Sequence, residues 1–476
     1  MTQVDLDPLF DHHPYAQYIL EKLSEVGYQA VIVGGAIRDL LRGTLEDDYS
    51  FSPADTDIDI ATSAHTSEVK KHFPKFDFVE VGKRFGVLIV IAPDDQQYEI
   101  AHFRSESDYD GRHPGEVKLV NSLKKDVSRR DFTVNGLAVT RQGEVIDYVN
   151  GIEDLRKKII RAIGNPIDRF QEDYLRPLRA IRIYCDIGGE IDPDTYHAIE
   201  RVAKNIRTIS WERIKTELFN ILATSNSATG LRLCKDTGLL PEILPEMAKN
   251  EGIPQPEKYH PEGDVLEHSF QALEVADKLN YPPLIKLAIF IHDVGKAQAY
   301  SHNDKQHLGG HELIGKKLTA EITSRLRLSN KEADKIEWIV GNHMRASILH
   351  KMRKAKQVKL VRHNQDKDYS IDEPQNRFHY FFGLLQTVIA DSEASAHKEK
   401  GWLPAVDQFS NLLPHLQELE NLGTARKLIN GNDLKRLGME EGPHLGDVLK
   451  EVHELIYAGK IDSHDEALAV AKQKIN

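Results

Sequence analysis

Strand-like runs stop early in this chain of 476 residues, and beyond about residue 155 the pattern is almost wholly helical. Ala30-Val31-Ile32-Val33 is a short apolar run that ends at Gly34-Gly35, and a helical pattern follows through Ile37, Leu40 and Leu41. Further β-rich runs cover Phe85 to Ile91, Tyr98 to Phe103 and Glu144 to Tyr148. That distribution predicts an α+β fold: an N-terminal head with a small mixed β-sheet, then a helical neck, a helical body and a helical tail. The length is too great for one core. The expected parts are a head over 1–150, a neck over 151–252, a body over 253–400 and a tail over 401–476. Gly252-Ile253-Pro254-Gln255-Pro256 reads as the linker before the body.

The formal net charge of -12 argues against indiscriminate nucleic-acid binding, so any phosphate-backbone contact needs a local basic patch. Cys185 and Cys234 lie in helical, apolar surroundings and read as buried free thiols of a reducing compartment. The acidic start Met1-Thr2-Gln3-Val4-Asp5 does not resemble a signal peptide, and no apolar run approaches the roughly 20 residues of a membrane span. The expectation is a soluble cytoplasmic protein with no membrane association and no obligate protein partner.

Four segments of the front half carry chemistry. Gly34-Gly35 after a strand, with Arg38 on the next helix, lets backbone approach an anion and adds a guanidinium; the bland alternative is a tight turn. Asp57-Ile58-Asp59, read as a strand, places two carboxylates on one face, where they repel unless a cation such as Mg2+ lies between them. The alternative is a solvated strand face. Arg129-Arg130-Asp131-Phe132-Thr133-Val134-Asn135 offers two guanidinium forks for a triphosphate, with Asn135 able to orient a sugar or backbone; a surface basic cluster would look the same. In Arg169 to Ala180, read as one helix, Asp173, Arg176 and Arg179 follow at three-residue steps. They form either an intrahelical ion-pair row or a hydrogen-bonding edge for a base, the carboxylate accepting from an exocyclic amine.

In their order, Gly34-Gly35-x-x-Arg38-Asp39, Asp57-x-Asp59-x-Ala61-Thr62, Arg129-Arg130-Asp131-Phe132-Thr133-x-Asn135, Asp147 to Arg161 and Glu172-Asp173-x-x-Arg176 resemble the class II CCA-adding enzymes. The pattern is shared by their bacterial poly(A) polymerase relatives, within the polymerase β nucleotidyltransferase superfamily, and covers roughly residues 28–220. The resemblance implies that Asp57 and Asp59 hold catalytic Mg2+. It implies that Gly34, Gly35, Arg38 and Arg130 contact phosphates, and that Asp131, Asn135 and Arg179 join the nucleotide site. Asp173 and Arg176 would select C and A, with CTP and ATP as substrates and tRNA as acceptor. Glu99 would assist the metal pair, and Trp211-Glu212-Arg213-x-x-x-Glu217 would brace the selecting helix. Arg104 to Pro114 resembles the family's flexible loop, which goes with the switch from C to A; by itself it reads as a polar, mobile loop. Thr44 to Thr56 is longer than the family pattern, and Pro177 sits where a continuous helix would lose a hydrogen bond.

A second set follows the linker. His268, His292-Asp293, His311, His343 and Asp391 are spread over helical segments, and His292-Asp293-Val294-Gly295-Lys296 ends an apolar helix. Imidazole with carboxylate suits a divalent metal. The set resembles the HD phosphohydrolase superfamily over about residues 258–396. That resemblance implies one or two metals (Mg2+, Mn2+ or Ni2+) and hydrolysis of cyclic or terminal phosphates on RNA ends. Between His343 and Asp391, Lys351, Arg353, Lys354 and Lys356, with Lys359 and Arg362, run without an intervening acid. They are the expected tRNA-backbone contact, or else a solvated helix face. Val81 to Gly86 partly resembles a poly(A) polymerase stretch. The competing readings are therefore A-only addition, poly(A) synthesis, and an HD phosphohydrolase with an RNA-binding front half.

Overall fold

A computed structural model describes residues 3–46, 52–81, 85–111, 114–256, 263–302, 307–370, 372–395, 400–421 and 428–475. By internal packing the chain divides into two compact units: 1–224 with 229–243, and 225–228 with 244–476. Among the described residues no helix is long and apolar enough to cross a membrane.

The first unit is the α+β part. Its main strands are β1 (Ala30–Val33), β2 (Asp59–Thr62), β3 (Asp77–Glu80), β4 (Val87–Ile91) and β5 (Gln97–His102). A separate hairpin of β6 (Arg104–Tyr109) and β7 (Pro114–Leu119) follows, and β8 (Leu137–Val139) and β9 (Val145–Asp147) return to the main sheet. The sheet order is β3-β4-β5-β2-β1-β8-β9. It is mixed: β2 pairs parallel with β5, Asp59 opposite Glu99, whereas β1 pairs antiparallel with both β2 and β8. Val31, Val33, Ala61, Phe103 and Ala138 join Leu123 and Val127, from the helix Leu123–Ser128, in one buried cluster. Burying this apolar surface ties β1 and β2, whose ends reach the site, to the helix preceding Arg129-Arg130.

Three local expectations are corrected. The segment Arg104 to Pro114 is not an open loop over its described part: β6 and β7 pair in register, Arg104 opposite Leu119 and Tyr109 opposite Pro114. Its strands are polar, so no hydrophobic alternation announces them. Residues 169–180 are not one helix. The helix Pro166–Glu172 ends at Asp173, whose backbone is extended, and a new helix, Arg176–Ile187, starts with Pro177 in its first turn. Proline suits a helix start because the missing N–H has no intrahelical partner there. Asp57 precedes β2 rather than lying on it, so strand alternation does not govern the 57/59 pair. Parts of the Thr44–Thr56 and Val81–Gly86 segments, Arg112 and His113 fall outside the described residues.

The second unit is helical. Val265–Lys278, Pro283–Ile291, His311–Arg325, Asn330–Ser347 and His379–Ala394 pack against one another. Pro283–Ile291 is buried from Ile285 to Ile291, Lys286 included. The Lys286 ammonium meets the Asp277 carboxylate at 2.7 Å, and Asp277 also accepts from the Ser227 hydroxyl and the Ala228 N–H. This all-apolar helix with one paired cation brings His292-Asp293, just past its end, into the interior of the bundle.

Candidate active site and candidate metal centre

The first unit contains a cavity of about 390 Å3. Gly34 at the end of β1, Asp59 at the start of β2 and Glu99 on β5 line one wall. Gly34 has φ +84°, and a Cβ there would stand 2.9 Å from Asp59 Oδ2, so only glycine fits both the backbone and the carboxylate. Burial, then the charge of Glu99, pushes the Asp59 carboxyl up to about 6; Arg130 opposes this and Asp57 adds to it. A carboxylate so crowded by like charges suits a hard divalent cation. Asp57 is exposed and is felt at Asp59 as charge, while Glu99 is its direct strand neighbour.

The other walls are cationic. Arg38, Arg104, Arg129, Arg130, Arg176, Arg179 and Arg182 line the cavity against four carboxylates, Asp59, Glu99, Asp131 and Asp173. In a chain of net charge -12 this local excess points to a polyanionic ligand. The arginines are held from behind. Buried Asp126 takes Arg129 at 2.8 Å and Arg130 at 3.2 Å. Asp131 pairs with Arg179 at 2.9 Å, and the Asn135 amide, donating to Asp131, accepts from Arg38 at 3.1 Å. Asp131 and Asn135 thus line the cavity and also aim two guanidinium groups. Asp126 escaped the sequence reading, although its spacing of three and four residues from the arginine pair marks a helical ion pair.

Asp173 and Arg176 are both at the cavity, but their side chains are not paired; the Arg176 N–H donates to the Asp173 carbonyl at 3.0 Å. Asp173 is gripped by the Arg213 fork at 2.6 and 3.3 Å and accepts the Leu175 N–H at 3.0 Å. Arg176 binds Glu172 and the carbonyls of Arg169 and Arg129. Glu217 takes Arg182 at 2.8 Å. Both ends of the Arg213-x-x-x-Glu217 spacing therefore hold groups that line the cavity. The hairpin joins in as well: Tyr174 donates its N–H to the Gly111 carbonyl at 3.1 Å, and Glu106 binds Arg104, Arg129 and the Tyr109 hydroxyl. Burial raises the Glu106 carboxyl, but these partners, Arg129 foremost, outweigh it and hold it below its usual value.

In the second unit all six expected ligands converge. His268, His292 and Asp391 form one cluster, and Asp293, His311 and His343 another. His268 Nε2 lies 3.0 Å from Asp391, His292 Nε2 3.1 Å from Asp293, and His311 Nε2 3.2 Å from Asp293. The Nδ1 atoms of His292, His311 and His343 face the carbonyls of Ile289, Leu308 and Val340 at 2.7, 2.9 and 2.7 Å. A ring nitrogen facing a carbonyl must be the donor, so each ring turns Nε2 inward; burial lowers His311, but its hydrogen bond to Asp293 and that carboxylate's charge outweigh this and raise it above its usual value. The Nε2 atoms of His311 and His343 stand 3.1 Å apart, and His292 Nε2 and the Lys296 ammonium converge on the one oxygen Asp293 Oδ2. Imidazole nitrogens turned toward one another and toward buried carboxylates make a donor set that suits a divalent cation, so these residues fit a metal. Burial, then His292, pulls His343 down to about 4. The histidines and Lys296 hold Asp293 well below its usual value despite burial, and His268 and His292 do the same for Asp391. Lys296 meets Asp293 at 2.5 Å and donates to Gln255 of the linker segment at 2.6 Å.

Lys351, Arg353, Lys354 and Lys356 are exposed, the last two on the helix Lys354–Val361.

Residues 30–161 match the poly A polymerase head domain. Behind this head, residues 189–250 match the probable RNA and SrmB-binding site of polymerase A, and residues 265–367 match the HD domain. The CCA-adding enzyme of Bacillus subtilis (strain 168) is 36% identical over 280 residues, 58% of this chain and 64% of that protein. The CCA-adding enzyme of Limosilactobacillus reuteri (strain DSM 20016) is 42% identical over 225 residues, 47% and 53% of the two chains. The matches thus span between about half and two thirds of the length of these curated relatives. The fold is that of the Bacillus stearothermophilus CCA-adding enzyme solved with CTP, with a TM-score of 0.71 at 24% identity over 98% of each chain. The Thermotoga maritima CCA-adding enzyme solved with tRNA follows at 0.60 and 19% over 100% of each.

Proposed function

We propose that the chain adds C, C and A to the 3′ end of tRNA, using CTP and ATP and releasing pyrophosphate. The observation that carries this reading is the head cavity, where the Asp59–Glu99 wall, a bank of arginines and an anchored Asp173 face one space. The similar CCA-adding enzymes solved with CTP and with tRNA support the choice of substrates. In this reading Asp57 and Asp59, with Glu99, hold Mg2+. When bound, that ion supplies positive charge to the triphosphate and its leaving group. Gly34, Gly35, Arg38 and Arg130 hold the phosphates, with Asp131 and Asn135 fixing the arginines. Asp173 accepts from the exocyclic amine common to C and A, and Arg176 and Arg179 donate to ring acceptors. The 3′-oxygen of the RNA bonds to the α-phosphorus as the bond to the bridging oxygen breaks.

The HD cage supports a second activity in the same chain, a metal-dependent phosphohydrolase acting on cyclic or terminal phosphates. Its ligands would be His268, His292, Asp293, His311, His343 and Asp391, for Mg2+, Mn2+ or Ni2+. Lys351, Arg353, Lys354 and Lys356 would contact tRNA phosphates. Head, neck, HD body and tail, as divided in the sequence, and a place in the cytoplasm belong to the same proposal.

The test uses Mg2+ and three tRNA transcripts, ending at the discriminator base, in C, or in CC, each given CTP, ATP or both. Growth of all three to CCA followed by a stop is expected. Growth of the CC transcript alone, by one A, would make this an A-adding enzyme. Long A tails would make it a poly(A) polymerase, and no growth would leave the HD cage as the working half.

A further inference from the structure

The second unit holds another cavity, of about 360 Å3, at the C-terminal end of the helix Lys354–Val361 and against Tyr457 of the helix Pro443–Tyr457. Lys359, Arg362, His363, Asn364 and Lys367 contribute to its walls, and none of its described lining residues is acidic. Three cations without an acid invert the charge of a chain whose net is -12. The acids behind the walls are each held by a partner: Glu420 pairs with Arg377 at 2.6 Å and accepts from Gln365 at 3.5 Å, Asp334 accepts from Asn364 at 3.0 Å, and Glu454 pairs with the rim lysine, Lys359, at 3.2 Å. Arg362 donates through Nε to Gln365 at 2.7 Å, while its Nη1 is buried with no hydrogen-bond partner. A guanidinium keeps its charge when buried, so an unmatched N–H at a cavity wall is costly until an anion meets it. His363 stacks on Trp338, with ring centroids 4.7 Å apart and planes 4° from parallel, and its Nε2 is likewise buried without a partner. Burial holds this imidazole below its usual value, so it is a neutral group with one unused hydrogen-bonding position.

The cavity also ends a line of charge. Lys356, Lys359 and Arg362 follow at three-residue steps, which makes them neighbours on the helix, and exposed Lys351, Arg353 and Lys354 lead up to them. A free phosphate has the same chemistry as a backbone phosphate, but a line of exposed cations running into a pocket suits a polyanion. We propose that this cavity holds a backbone phosphodiester of RNA, with Arg362 as the buried anchor and Lys359 and Lys367 at its rim. The proposal rests on the reading of the chain as a tRNA enzyme and adds a built phosphate site beyond the exposed basic residues.

The experiment measures binding of a tRNA transcript ending in CC to the full chain across a range of KCl concentrations, for wild type, Arg362→Gln and Lys367→Gln. Each phosphate contact contributes roughly 0.7–0.9 to the slope of log affinity against log salt. Each variant is expected to lower affinity several-fold at low salt and to flatten the slope by about that amount. Arg362 is half-buried, so its variant is first checked by thermal melting; Lys367 is exposed, and its variant alone suffices if the other unfolds. Unchanged slopes in the folded variants would overturn the proposal. Calorimetry with inorganic phosphate alone provides the second arm: phosphate binding that the variants lose, with RNA slopes unchanged, would also overturn it in favour of a small-anion site. A wild-type chain that binds tRNA but adds no nucleotide would remove the CCA reading and leave this readout intact.

Discussion

Arg213→Ala asks whether Asp173 is posed by a residue 40 positions away rather than by its helical neighbour. The mutation removes both guanidinium contacts, at 2.6 and 3.3 Å, and leaves Asp173 with the Leu175 N–H. Hydrogen bonds to charged groups are worth about 1.5–3 kcal/mol. The longer contact adds little, and the Arg213 side chain is 31% exposed, so solvent screening reduces the pair to ~1–2 kcal/mol. With ~1.4 kcal/mol per factor of ten, the fraction of chains with Asp173 in place falls about 5- to 30-fold. Addition to the three tRNA transcripts should show kcat/KM for CTP and ATP falling by that factor. Discrimination against UTP, whose carbonyl replaces the amine, should weaken in parallel. Arg213→Lys keeps one charge-assisted bond and should recover part of the loss. Values within twofold of wild type, with the same C-to-U preference, would refute the reasoning. Arg176→Ala reproducing the Arg213→Ala pattern while Arg213→Ala stayed silent would restore the helical-neighbour picture.

Gly34→Ala adds a left-handed backbone cost of ~1–2 kcal/mol and a Cβ 2.9 Å from Asp59 Oδ2. Displacing that carboxylate should cost about 100-fold in kcat with tRNA affinity unchanged, read from single-turnover addition and from binding. Asp59 is raised from 3.8 to about 6, so between those values the folded state binds more protons than the unfolded one. Without metal, stability should therefore fall by ~3 kcal/mol as pH rises through that window and level off above it. Urea unfolding in chelator should show the fall in wild type and its absence in Asp59→Asn, and Mg2+ should restore stability only above the window. His343→Ala should lower the content of bound divalent metal and abolish phosphohydrolase activity while C and A addition persist, as measured by metal analysis and the transcript assay. Asp277→Asn leaves the Lys286 ammonium buried without its carboxylate, 2.7 Å away in the wild type. It should cost ~3–5 kcal/mol in urea unfolding of the second unit, whereas a surface exchange such as Glu441→Gln should be silent.

The parts legible in the sequence are those written locally. A four-residue apolar strand running into Gly34-Gly35 announces both the turn and the wall of the cavity, because the backbone demand and the residue coincide. His292-Asp293 at the end of an all-apolar helix announces a buried His-Asp pair for the same reason. What the sequence hides is settled by distant partners. The β6–β7 hairpin is polar on both strands and is held by register and by Glu106 with Arg104 and Arg129, none of which leaves a periodic trace. The break after Glu172 was written at Pro177, but a proline signals a helix start as readily as a kink, and only Asp173's extended backbone decides between them. The Asp173–Arg213 pair spans 40 residues and has no local signature at all.

In the proposed reading the two sites would meet phosphate charge by opposite means. In the head the cations belong to the protein: seven guanidinium groups line one cavity, with Asp126, Asp131 and Glu106 setting the directions of several. Arginine is the side chain for this task, since burial pulls Arg130 below its usual value without bringing it near neutrality at ordinary pH. Lysine in the same place could lose its charge. The HD cage is built the other way. His343 is held neutral, the Nε2 atoms of His292, His311 and His343 face inward, and Asp293 and Asp391 stay ionised, so its side chains suit a cation. Lys296, the cation at Asp293, is occupied by that carboxylate and by Gln255. In that reading an anionic ester would find little positive charge from the HD side chains themselves and would depend on the metal these residues would hold. The head cavity is already cationic before any ion enters, and in the proposed reading its Asp59–Glu99 wall would give one a separate place.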